Sequence, residues 1–147
     1  MNVQGCIVGQ EYNTDVRLVD FIEFKTNMVL SDDDLMAYLM ATTYLSDHPE
    51  MFKKRTMPVN IIFAGEGTLT LNLEENHYGN RLNLITINHD KFTLLNQLQK
   101  IVVIVEELVH HFWDENDEIE VSRIVCECVP DVDYNRENGN YIFKIES

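Results

Sequence analysis

The sequence predicts an α+β fold: a small antiparallel or mixed sheet packed against a long central buried helix, with a shorter helix after it. Three observations carry that expectation. Residues 59–88 hold short apolar or alternating runs separated by turn residues, the pattern of neighbouring strands. Leu94, Leu98, Ile101, Val105, Leu108 and Phe112 recur at spacings of four and three, which is the seam of a helix. A second, shorter helical stretch runs from Glu118 towards Pro130, where proline stops it.

Taken in order, residues 16–24 are rich in Val, Leu, Ile and Phe and suit a strand or a short helix equally. Ser31-Asp32-Asp33-Asp34 is a helix start, a capping hydroxyl followed by acids at the positive end of the dipole. That helix carries Leu35, Met36, Tyr38, Leu39 and Tyr44 and breaks at His48-Pro49. Pro58 opens the strand-rich part: 59–63 is compact and apolar, 68–73 alternates, and 82–88 largely alternates. Asp90 is placed to cap the long helix. Its β-branched run at 101–105 alone favours a strand, but the seam is longer than the run, so helix is expected. The tail has turn residues at Asn138-Gly139-Asn140 and a last short strand from Tyr141.

One domain over 1–147 is expected, because 147 residues at 45% hydrophobic and 24% charged suit a single core. No run approaches the ~20 apolar residues of a membrane span. The start, Met1 to Cys6, lacks the basic and apolar segments of a signal peptide, and three cysteines without ribbon or redox spacing suit a reducing compartment. A cytoplasmic protein is the expectation.

Charge narrows the partners. The net charge is −14, and between Glu106 and Glu137 eleven acids face two bases, a net −9 that leaves −5 for the rest. Such a field repels phosphates and attracts cations or basic protein surfaces, which argues against direct nucleic-acid binding. The only basic cluster, Lys53-Lys54-Arg55, is too short to reverse this.

The chemistry concentrates in 101–113, where Glu106, Glu107, His110 and His111 interrupt an apolar helix. Burying such groups is costly unless they pair, neutralise or hold a metal. Glu106 with His110, and Glu107 with His111, stand four residues apart and share a helix face. Two readings compete: ligands for one ion, or imidazoles closing the free carbonyls of a helix end next to Phe112 and Trp113.

The order of a small sheet, a buried helix with acid and His, a short acidic gap and a helix ending in proline resembles the zincin metallopeptidases. It is most similar to the small repressor-cleaving peptidases of phages and mobile elements. That family's helix carries His-Glu-x-x-His, two zinc ligands around a glutamate that activates water. Here the stretch reads Glu106-Glu107-Leu108-Val109-His110. The resemblance implies Glu107 as general base and His110 as a ligand, with Glu106 in place of the first histidine. It further implies a carboxylate ligand in Glu120-Val121-Ser122-Arg123-Ile124-Val125-Cys126-Glu127-Cys128-Val129-Pro130, where Glu120 matches and Glu118 competes. The zincin-like core spans about 58–130.

The implied metal set is therefore Glu106, His110 and Glu120, with His111 as a substitute. Two carboxylates favour harder ions, Mn²⁺, Mg²⁺ or Ca²⁺, over Zn²⁺ and weaken the pull on a bound water. The third outcome is no metal, with the same groups hydrogen-bonded to one another. Other patterns carry less. Glu107-x-x-His110 and Glu74-x-x-His77 repeat a di-iron spacing, but the second copy lies among strands and turns. Asp131-x-Asp133-x-Asn135 lacks the glycine and terminal glutamate of a calcium loop and reads as a polar turn. Gly65-Glu66-Gly67 reads as a hairpin, and Cys6, Cys126 and Cys128 as buried thiols.

Two functions follow. One is a variant or degenerate zincin-like metalloprotein, a metal-dependent peptidase of phage or mobile-element type acting on a protein or peptide. The alternative is a non-enzymatic acidic inhibitor, of the phage anti-defence or nucleic-acid-mimic kind, that covers a basic partner surface.

Overall fold

Three strands lie side by side and parallel at the centre of this protein. The computed structural model describes residues 2–4, 14–48, 50, 57–67, 69–72, 76, 78–79 and 81–144. Its strands there are β1 (Asn2–Gln4), β2 (Ile22–Thr26), β3 (Val59–Ala64), β4 (Thr70–Asn72), β5 (Leu84–Asn88), β6 (Val132–Tyr134) and β7 (Tyr141–Phe143). Its α-helices are α1 (Asp32–Ser46), α2 (His89–Phe92), α3 (Gln97–Phe112) and α4 (Glu118–Cys128). Of the ambiguous stretch before α1, both readings are realised: a 3₁₀ turn at Val16–Leu18, then β2.

The mixture of helix and sheet is as expected, but the sheet differs in direction. β3 is central and runs parallel to both β2 and β5, with Phe24 beside Ile61 and Phe63 beside Ile87. Antiparallel pairing is confined to β1 with β4 and β6 with β7. The reason lies in burial. One face of the three strands, Ile22, Phe24, Val59, Ile61, Phe63, Ile85 and Ile87, is in the core; on the other, Lys25 and Ile62 are buried as well, while Leu84, Thr86 and Asn88 of the edge strand β5 are exposed. An edge strand with one open face, as β5 is, alternates in sequence whichever way it runs. Because β3 parallels its neighbours and β4 pairs with β1, Gly65-Glu66-Gly67 is a bend between sheets and not a hairpin.

Ser31 caps α1 as read, its Oγ accepting from the Asp34 amide at 3.1 Å. The long helix is corrected at its start. Asn88, not Asp90, caps α2, accepting from the amides of Asp90 at 3.1 Å and Lys91 at 3.4 Å. The chain then loosens, and Asn96 caps α3 reciprocally with Gln99. Leu94 falls in the loosened turn and is 83% exposed, whereas Ile101, Val105, Leu108 and Phe112 are buried as the seam requires. Helix α3 packs against α1 on one flank and α4 on the other. Asp117 caps α4, and Pro130 lies two residues beyond its end.

The core is one contiguous cluster running from Leu18 to Val132. Phe24, Tyr38, Phe63 and Phe92 form its aromatic centre, with successive ring centroids 4.7 to 5.9 Å apart. A polar knot fixes α3 beside it. Asp34 is fully buried and meets Lys100 Nζ at 2.8 Å and His89 Nε2 at 2.9 Å, and it accepts from Thr93 Oγ1 at 3.3 Å. Burial pushes the Asp34 carboxyl up, but Lys100, His89 and Ser31 outweigh it and hold the group below its ordinary value.

The segment 131–135 is not a separate turn: its middle is β6, and Asp133 is drawn to Arg136 at 2.6 Å. Cys6, Lys53-Lys54-Arg55, Glu74 and His77 lie outside the described residues. Among the described residues, no helix is long and apolar enough to cross a membrane.

Candidate metal centre

The site begins with the helical spacing in α3. Glu106 and His110 stand one turn apart on its half-buried flank, between the core seam and solvent. After Trp113 the chain reverses through Asp114, whose φ of 53° is left-handed, and returns as α4. The turn is short, so the first residue of α4, Glu118, lands over the last turn of α3.

The outcome is a three-residue group. One donor atom each from Glu106, His110 and Glu118 lies within 4.8 Å of the others, an arrangement that could hold a metal ion. His110 Nε2 is 3.7 Å from Glu118 Oε2. His110 Nδ1 sits 2.7 Å from the Glu115 carbonyl oxygen, which can only accept, so the ring N–H is on Nδ1. That contact anchors the ring through Nδ1 and turns Nε2 to the carboxylates, as metal-binding histidines are held by a second partner. The donor set, one imidazole and two carboxylates, suits a divalent cation.

Glu106 is braced from the far end of the chain. Tyr141, the first residue of β7, donates its hydroxyl to Glu106 Oε1 at 3.0 Å. Burial first, and the Glu106 charge beside it, hold the Tyr141 phenol above its usual range, so it is a donor at neutral pH. Burial also pushes the Glu106 carboxyl up; the Tyr141 bond opposes this, while the charges of Glu107 and Glu118 add to it. A divalent cation between the carboxylates would remove that penalty. Beside the group is a cavity of about 430 Å³, walled by Glu106, Glu118, Ser122, Asn140, Tyr141 and Phe143.

Two expected ligands are not brought in. Glu120 lies two residues beyond Glu118 in α4, and its carboxylate accepts from Arg123 Nε at 3.0 Å. That bond holds its pKa below the ordinary value. His111 is buried on the opposite side, with Nε2 2.8 Å from the Met57 carbonyl oxygen and its ring against Phe112. It ties the end of α3 to the segment before β3, and the carbonyl it meets is not one of the helix's own. Glu107 is half-buried and adjoins Glu106, but it is not among the three converging groups. Tyr141 was missed altogether, since a tyrosine opening a strand carries no local signal of a contact 35 residues away. Of the described thiols, Cys128 is buried as read while Cys126 is half-buried; burial pushes Cys126 up to about 11 and Cys128 up to about 12.

No protein-family model, curated protein or solved structure matches the chain.

Proposed function

We propose that this is a divalent-metal protein with a carboxylate-rich variant of the zincin site, held by Glu106, His110 and Glu118, and that it hydrolyses a peptide bond. The observation that supports it is the convergence of these three donors, with His110 anchored through Nδ1 and Nε2 turned to the group. An ion bound there supplies Lewis acidity to a carbonyl oxygen. The chain's own parts follow from position. Glu106, His110 and Glu118 hold, Tyr141 orients Glu106, and Glu107, the residue beside the first ligand, takes the proton of the attacking water. The cavity next to Glu106 and Glu118 gives a peptide room to approach.

A second reading, an acidic protein that covers a basic partner, is favoured by one observation. Both bases of the 106–137 stretch are engaged internally, Arg123 with Glu120 and Glu127, Arg136 with Asp133. Asp117, Glu118, Asp131 and Glu137 of the same stretch are exposed.

Metal analysis of protein made without a tag separates the two. The expected result is near-stoichiometric metal in the wild type and in Glu120→Ala, lost in Glu106→Ala, His110→Ala and Glu118→Ala. Metal-free protein in every preparation, with salt-sensitive binding to a polylysine surface that survives His110→Ala, would transfer the conclusion to the second reading.

A further inference from the structure

Phe143 walls two cavities. One is the space beside Glu106 and Glu118, and the other is a larger one of about 670 Å³. The larger is lined by Met40 and Tyr44 of α1, Leu98 and Ile101 of α3, and Phe143 of β7. Ile101 is buried, but the other four are only half-buried, so large apolar side chains meet water where the two helices and the hairpin leave a gap. Apolar surface left open in this way favours whatever closes it. The volume falls in the range of about 300–1,000 Å³ in which ligands are held.

We infer that the larger cavity seats a bulky apolar side chain (leucine, methionine or phenylalanine) of an extended, non-acidic peptide whose reacting bond lies over Glu106, His110 and Glu118. This rests on the peptidase reading and adds to it the class of substrate. Two elements measure the spacing. Along α3, Ile101 precedes Glu106 by five residues and His110 by nine, about 7.5 and 13.5 Å at the helical rise. The strand β7 covers the same ground. Tyr141 donates to Glu106 at 3.0 Å, and its ring centroid is 6.3 Å from that of Phe143, two residues on and on the same face of the strand. An extended peptide covers such a span in about two to four residues. The apolar residue is therefore expected that many positions from the bond, not next to it.

Charge and rigidity suit that occupant. Residues 106–137 carry the net −9 counted above, and Asp131 stands exposed at the larger cavity itself, so an acidic peptide is repelled. The hairpin of β6 and β7 is fixed in place by its own contacts. Ser122, buried in α4, donates to the Gly139 carbonyl at 2.6 Å. Gly139 has φ 79°, and a Cβ there would stand 3.2 Å from the Glu118 carbonyl oxygen, so the tip of the hairpin lies directly on the first turn of α4. At its base the Lys144 amide donates to the Asp131 carbonyl at 3.2 Å. Both cavities are thus formed in advance, as ligand sites usually are.

The test uses the full chain, loaded in parallel with Zn²⁺ and with Mn²⁺, and short quenched fluorescent peptides of Gly, Ser and Lys that carry one leucine at successive positions. Mass spectrometry locates each cut. Moving the leucine is expected to move the cut in step, at a spacing of about two to four residues. Exchanging the leucine for serine should lower kcat/KM at least about tenfold, the discrimination an apolar pocket gives for a single methylene. Met40→Glu and Leu98→Glu put a charge into the larger cavity, and circular dichroism checks that they fold. In either variant the leucine-to-serine ratio of kcat/KM should fall towards one; should neither fold, the peptide series on wild type decides alone. Cuts that ignore the leucine, or an unchanged ratio in folded Met40→Glu and Leu98→Glu, overturn the inference and leave the peptidase reading standing. A wild type that cuts no peptide with either ion overturns both.

Discussion

Replacing Asp34 with asparagine removes one charge from a place where no water can compensate. Asp34 is fully buried and the Lys100 side chain is 7% exposed, their charged atoms 2.8 Å apart. The variant leaves the ammonium buried beside a neutral amide, and breaking such a pair from one side costs roughly 3–5 kcal/mol. Asparagine can still accept from Thr93 or His89, so the lower end, about 3 kcal/mol, is the expected loss. For a chain of this length each kcal/mol moves Tm by about 3–4 °C, which gives a fall of about 10 °C. Removing both charges, in Asp34→Asn with Lys100→Met, should restore most of it, because a buried pair replaced by neutral groups is often nearly neutral. Thermal unfolding followed by circular dichroism measures all three variants as a double-mutant cycle. Two single losses that add to within about 0.5 kcal/mol of the double would refute the coupling. Acid should act in the same direction. The folded carboxyl sits below its unfolded value, so the unfolded chain binds more protons in that window. The pair's contribution is present above the ordinary aspartate value of about 3.9 and is lost as pH falls through the folded one. Asp34→Asn should show a shallower decline than wild type, because Asp15 and Glu120, also held below their ordinary values, still contribute in both.

Glu106→Gln is expected to raise Tm in excess chelator while abolishing metal binding. Folded Glu106 holds its proton more firmly than unfolded, so the charged form costs stability that grows as pH rises from the ordinary glutamate value through the folded one. Wild-type and variant melts across that range, with and without ion, check both halves. Cys128, pushed up to about 12, should resist alkylation by iodoacetamide at pH 8 in the native protein and react quickly in denaturant, as read by peptide mass spectrometry.

Local chemistry made α1 and α4 legible. Ser31 with three acids fixes one end of α1, and Asp117 and Pro130 bracket α4. The pairing of Glu106 with His110 was legible for the same reason, since four residues on a helix is a geometric statement. The third ligand depends on a turn. Whether Glu118 or Glu120 meets His110 is set by the reversal at Asp114 and the Glu115 carbonyl, and Arg123 three residues after Glu120 was the one clue that Glu120 would be taken. Strand direction was hidden because β5 alternates on account of its exposed face. The interruption between α2 and α3 was hidden because Leu94 keeps the apolar spacing while Asn96 and Gln99, in capping-box positions, end one helix and begin the next.

The parallel arrangement of β2, β3 and β5 bears on how the chain reaches its native state. Ile22 must find Val59 and Ile61 must find Ile85, across α1 in the first case and across β4 in the second. Each closure spends chain entropy before any ladder bond is gained, which is the property of slow folders. Until both close, three apolar strands have open edges, and an acidic chain gains from mutual repulsion between copies during that interval. The surplus of carboxylates therefore has a use in biogenesis that is independent of any ion or partner.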